Sequence, residues 1–170
     1  MSHKRDFSYD ETSGICSCII RLSDLLLGFG IAQCAEQDKD IMSERTGQHI
    51  AEIRAQISLL QNFKNHVLRP GLDALVHLRS TMIQSPKFNP ESYEAKRLEA
   101  EIKNHHKDIA EINDAIEGVK AGLYDYINMH EEIAQKIRQK QMKGYEDKDS
   151  ERIVNMIDFY DKVIKDDNKT

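Results

Sequence analysis

Tryptophan is absent from this 170-residue chain, aromatic residues of all kinds make up 6%, and there are only 3 prolines, 8 glycines and 3 cysteines. Few aromatics and no long runs of Val, Thr and Tyr leave little that is typical of strands, so the composition favours helix. An odd, small set of cysteines (Cys16, Cys18 and Cys34) does not suggest a disulfide framework and points to a reducing compartment. Positive charge is not in excess either. With 24 Lys and Arg against 29 Asp and Glu the net charge is −5, which argues against nucleic acid as a partner, because phosphate binding needs a positive field. No run approaches the roughly 18 apolar residues of a membrane span. The most apolar stretch, Gly14 to Ala35, is interrupted by Arg21 and Asp24. The opening residues, Met-Ser-His-Lys-Arg-Asp-Phe, do not read as a signal peptide, and Ser2 excludes N-myristoylation. A cytoplasmic chain, peripheral to membranes at most, is the expectation.

What the chain does have is a heptad stripe. Leu98, Ile102, His105, Ile109, Ile112, Ile116, Val119, Leu123, Tyr126, His130, Ile133 and Ile137 follow one another at alternating steps of four and three. That spacing keeps one face of a helix against a partner for roughly 60 Å at about 1.5 Å per residue. Upstream, Ile15, Ile19, Leu22, Leu25, Leu26 and Phe29 also fit helical spacing, weakened by Gly28 and Gly30. Ile50, Ile53, Ile57, Leu60 and Val67 mark another helix, which Pro70-Gly71 kinks before Leu72, Leu75, Leu78 and Met82 resume it. The segment Ser85-Pro86-Lys87-Phe88-Asn89-Pro90 is the clearest break, and a short break between two apolar stripes implies an antiparallel helical hairpin. A long helix then runs from Pro90 to about Lys143, and a last amphipathic segment carries Ile153, Ile157, Tyr160 and Ile164. The expected organisation is a flexible N-terminus over 1–13, a single helical domain over 14–166, and a flexible end over 167–170.

Motifs for chemistry are missing. The residues three before His49, His77, His105, His106 and His130 are Thr46, Ala74, Ile102, Lys103 and Ile127, so no Glu-x-x-His pair of the di-iron kind exists, and no metal site is expected. Cys16-x-Cys18 lacks the spacing of a redox or zinc motif; packing is the plain reading, and S-acylation at the head of an amphipathic segment is the alternative. No P-loop, dinucleotide fingerprint or nucleophile elbow appears. Neither an enzyme nor a cofactor is expected. His105 and His130 sit on the apolar seam, where they pack neutral or set register. Charge placement says more. Lys87, Lys96, Arg97, Lys103 and Lys107 gather at the hairpin tip, and Glu111, Asp114 and Glu117 follow them. Basic clusters on a rod suit an anionic membrane surface.

Three successive long helices, the mid-helix Pro70, and the tip Ser85–Pro90 leading into Ala95-Lys96-Arg97-Leu98-Glu99-Ala100-Glu101-Ile102 resemble a BAR domain, in particular the eisosome and related primordial group, over roughly residues 40–165. The resemblance implies an all-α fold: an elongated antiparallel coiled-coil bundle that dimerises into a crescent. In it Lys87, Lys96, Arg97, Lys103 and Lys107 would touch anionic lipid. Leu98, Ile102, Ile109, Ile112, Ile116, Val119, Leu123, Ile133 and Ile137 would form the dimer or bundle seam. Function is then expected to be that of a membrane scaffold. A coiled-coil adaptor or assembly subunit that binds other proteins is the alternative, and it calls for an exposed apolar groove around Leu22, Leu25, Leu26 and Phe29.

Overall fold

Residues 4–33 form strands and turns, not a helix. The computed structural model describes residues 4–34 and 43–142. It opens with three strands, β1 (Lys4–Asp10), β2 (Ile15–Ser23) and β3 (Leu26–Gln33), in an antiparallel sheet of order β1-β2-β3. The expected all-α, BAR-like bundle is therefore replaced by a mixed fold of sheet and helices. β1 lies within the span expected to be loose. The reason for the difference is period. Cys16, Cys18 and Ile20 alternate as buried positions along β2, and Leu26, Gly28, Gly30 and Ala32 along β3. Such alternation is the signature of a strand with one covered face.

Both hairpins have local causes. At the β1–β2 turn the Asp10 carboxylate accepts from the Thr12 backbone N–H (3.0 Å) and the Ser13 hydroxyl (2.6 Å), and the Gly14 N–H donates to the Asp10 carbonyl (2.8 Å). Gly14 takes φ 67°, which only glycine adopts freely. The β2–β3 link is the dipeptide Asp24-Leu25, neither with positive φ, so it is not the mirror-image turn that suits a tight hairpin. A register shift between Arg21 and Ser23 absorbs the mismatch as a bulge.

Next comes α1 (Glu44–Phe63). Ser43 caps it, extended at φ −83°, its hydroxyl accepting from the Thr46 N–H (3.2 Å), and Glu44 complements the helix dipole in the first turn. Thr46, Ile50, Ala51 and Ala55 form its buried face against β2 and β3. The approach is close because the strand offers no side chain at two points. A Cβ on Gly30 would stand 2.0 Å from the Ala51 carbonyl oxygen, and one on Gly28 2.0 Å from that of Ala55. The glycines that weakened the helical reading are thus the contact points of sheet and helix. An ion pair of 2.6 Å from Arg5 to Glu52 ties β1 to the same helix.

The helix does not end at Phe63. Lys64–Leu68 is a π-helical turn, closed by the Arg69 N–H on the Lys64 carbonyl, and α2 (Arg69–Ile83) follows directly. Pro70 explains the turn: it brings no N–H, its ring crowds the preceding turn, and the wider coil makes room. The Ser85–Pro90 break then reverses the chain, Ser92 caps the next helix through the Ala95 N–H (3.2 Å), and α3 spans Tyr93–Met142. Lys64 Nζ donates to Asn113 Oδ1 (2.9 Å), Gly71 faces His105, and Arg79 pairs with Glu99. Contacts advance in opposite directions along the two helices, so they are antiparallel.

The chain divides into two compact units, Met1–Asp125 and Tyr126–Thr170. In the second, the described residues belong to the end of α3. Tyr126, His130 and Ala134 are buried there, and the Tyr126 and His130 rings lie 4.4 Å apart. The expected last amphipathic segment, Ile153 to Ile164, lies outside the described residues. Among the described residues no helix is long and apolar enough to cross a membrane.

Candidate interaction surfaces

Strand pairing assigns every sheet residue to a face. Directly paired residues share one, so Arg5, Ile20 and Gly28 lie together, as do Phe7, Cys18 and Gly30, and Tyr9, Cys16 and Ala32. This is the side α1 covers. The other side carries four rows: Lys4, Arg21, Leu27; then Asp6, Ile19, Phe29; then Ser8, Ser17, Ile31; then Asp10, Ile15, Gln33. Large apolar side chains fill its β3 column, and Leu27, Phe29 and Ile31 are 40%, 45% and 43% exposed. Ile15 and Ile19 flank them, half-buried. The β1 column is charged, with Asp6 paired to Lys4 (3.5 Å) and Arg21 (3.7 Å). Hydrogen bonds from Ser13 and Thr12 hold the Asp10 carboxyl below its ordinary value, so it is an anion at neutral pH.

Two carbonyls on the outer edge of β3 are occupied. Arg54 and Asn62, both on α1, donate to the Ile31 and Leu27 carbonyls. A strand edge whose acceptors are occupied is a poor template for another strand. The face is open while its β3 edge is guarded.

The helical hairpin offers a different surface. On α3 the seam positions Leu98, Ile102, Ile116 and Leu123 are buried, and Ile109, Ile112, Val119, Ile133 and Ile137 are half-buried. Near the tip, Phe88 joins Met82, Ala95 and Leu98 around a small void. The basic residues sit outside this seam: Lys87 in the tip loop, and Lys96, Arg97, Lys103 and Lys107 on exposed positions of α3. Three of them have carboxylate partners nearby, Lys96 with Glu91 (2.7 Å), Arg97 with Glu101 (3.0 Å) and Lys107 with Glu111 (3.3 Å). The seam histidine His105 sets Nδ1 3.2 Å from the Glu101 carbonyl. On α2 no residue is fully buried, and Val76, Leu78 and Ile83 remain about half exposed.

Chemistry has little foothold. A cleft of about 140 Å³ opens at the head of α1, lined among others by Tyr9, Cys16, Cys34, Glu44 and Gly47. Cys16 donates to the Glu44 carbonyl (3.6 Å), and burial, aided by Glu44 and Cys34, raises its thiol pKa. Burial pushes Cys18 up to about 11, with Glu52 adding and Arg5 opposing. Such thiols stay protonated and unreactive at neutral pH. Both are also buried on the side of the sheet that α1 covers. Among the described residues no three His, Cys, Asp or Glu side chains converge to hold a metal.

No protein-family model, curated protein or solved structure matches this chain. Its surfaces alone guide the functional reading. Of the groove expected around Leu22, Leu25, Leu26 and Phe29, Leu26 is buried and the other three are exposed, Leu25 at 95%. Sequence reasoning missed Leu27 and Ile31. Their signal was the alternation of large and small residues in Leu27-Gly28-Phe29-Gly30-Ile31-Ala32, which sends every large side chain to one face of a strand.

Proposed function

We propose that this chain is a protein-binding assembly module, a small sheet-and-helix platform joined to a helical hairpin, acting through apolar surface and not through catalysis. One observation carries the reading: Leu27, Phe29 and Ile31, flanked by Ile15 and Ile19, form a continuous apolar strip on an otherwise charged surface. Contiguous exposed apolar surface rimmed by polar residues marks interaction sites. Exposed Val76, Leu78 and Ile83 on α2 add to it. Membrane scaffolding through Lys87, Lys96, Arg97, Lys103 and Lys107 has weaker support, since carboxylates 2.7–3.3 Å away offset three of these charges and so reduce attraction to anionic lipid.

The test is a photo-crosslinking residue at position 29 in the full chain, in the cells that make it, with position 103 on the charged face of α3 as the control. Adducts to protein at 29 and few at 103 are expected. Adducts to lipid alone, or salt-sensitive sedimentation with anionic liposomes that Lys96→Glu/Arg97→Glu abolishes, would overturn the reading.

A further inference from the structure

We infer that the open face of the sheet is self-complementary and pairs with the same face of a second copy. The inference rests on the assembly reading and names the occupant of its main surface. Consider two such faces related by a two-fold axis that runs across the strands, midway along them. The columns then stack on themselves and the rows exchange, first with fourth and second with third. Along β3 Phe29 meets the partner's Ile31, and Ile31 the partner's Phe29, while along the central β2 Ile19 meets the partner's Ser17 and Arg21 lies over the partner's Ile15. Asp6 meets the partner's Ser8, a hydroxyl able to donate to the carboxylate. Lys4, 75% exposed along its side chain, meets the partner's Asp10. Each charged end of the β1 column finds its opposite at one rim of the contact, and the apolar side chains of β3 meet at the other. The relation depends on chain order. The cation opens β1 and the anion closes it, so the antiparallel arrangement joins unlike charges, whereas a two-fold axis along the strands would lay the β1 column over the partner's β3 column and leave both charges without an opposite.

Edge-to-edge pairing through β3 is the obvious competitor, and Arg54 and Asn62 disfavour it by occupying the Ile31 and Leu27 carbonyls. Size sets the strength. Three strands about 4.8 Å apart and roughly 23 Å long bury on the order of 1,000 Å² over the two partners, the low end of specific interfaces. The dimer is accordingly weak, in the micromolar class, and responsive to concentration.

Sedimentation equilibrium of the full chain across the micromolar range tests this, with Lys4→Asp and Asp10→Lys as variants. Each alone sets like charges against each other at two symmetry-related contacts and should weaken the dimer about tenfold. Mixed one to one, the two variants restore both unlike contacts and should associate as wild type does. Asp10→Lys also removes a turn cap, so its folding is checked by circular dichroism. If it does not fold, Ile31→Asp, which caps nothing, must still abolish dimerisation. A wild-type chain that stays monomeric, variants that dimerise as tightly as wild type, or a mixture that fails to recover would each overturn the inference. Position-29 adducts to a different protein beside a monomeric chain would remove the second copy as occupant and leave the assembly reading standing. Loss of all protein adducts would end both.

Discussion

The two faces of one sheet are made from opposite kinds of residue. The covered face of β3 presents Leu26, Gly28, Gly30 and Ala32, and α1 lies so close that a methyl group at either glycine would strike helix backbone. The open face of the same strand presents Leu27, Phe29 and Ile31, none of which meets a partner layer among the described residues. Usually the larger apolar side chains fill the core. At the closest approach of β3 to α1 Gly28, Gly30 and Ala32 do instead, with Leu26 and Ile20 beside them on the covered face. The sheet–helix contact gains stability from close backbone approach and from dispersion between tightly spaced atoms, and Leu27, Phe29 and Ile31 stay exposed. The proposed association would cover that outward face.

The contrast can be broken most severely at Gly30. Gly30→Val places branched carbons against the Ala51 carbonyl and the Ala55 amide and should cost roughly 3 kcal/mol or more, read as a large fall in the urea midpoint. Gly47→Ala should cost less. Its Cβ would stand 2.5 Å from the Cys16 sulfur, and the clash should vanish in Gly47→Ala/Cys16→Ala, where alanine then favours the helix by about 1 kcal/mol over glycine. The covered thiols sharpen the comparison by pH. Because the folded protein raises the Cys18 pKa from 9.0 to about 11, the stability linked to its protonated form is fully present below pH 9 and is lost as pH rises toward 11. Wild type should therefore weaken over that window more than Cys18→Ala does, measured as urea midpoints from pH 8 to 11. Smallest of all, Arg97→Ala removes an exposed pair with Glu101 and should change stability by about 0.5 kcal/mol or less in thermal melts.

The helical part of this fold was legible and the sheet was not. The break at Ser85–Pro90 lies between α2 and α3, and the heptad stripe from Leu98 follows the least exposed line of α3, because a seam repeated many times leaves few alternatives. Ile15, Ile19, Leu22, Leu25, Leu26 and Phe29 satisfied a helical period by coincidence of a short stretch. The competing period of two was hidden, because the buried members of β3 are glycine and alanine, which carry no hydrophobic signal. Pro70 indicated a kink, whereas the chain accommodates it with a π-helical turn that no side-chain pattern announces. The basic tip residues were legible as charges, yet their partners Glu91, Glu101 and Glu111 decide how much field they project, and that depends on rotamers.

The central claim is that the open face serves association while the covered face serves folding. It is tested most directly on Phe29→Asp, by measuring the sedimentation mass and the urea midpoint of the same preparation, the midpoint at a dilution where wild type is monomeric. The account predicts loss of the dimer with a midpoint within about 0.5 kcal/mol of wild type, as for an exposed position. An unchanged mass, or a midpoint that collapses as it would for Gly30→Val, would contradict it.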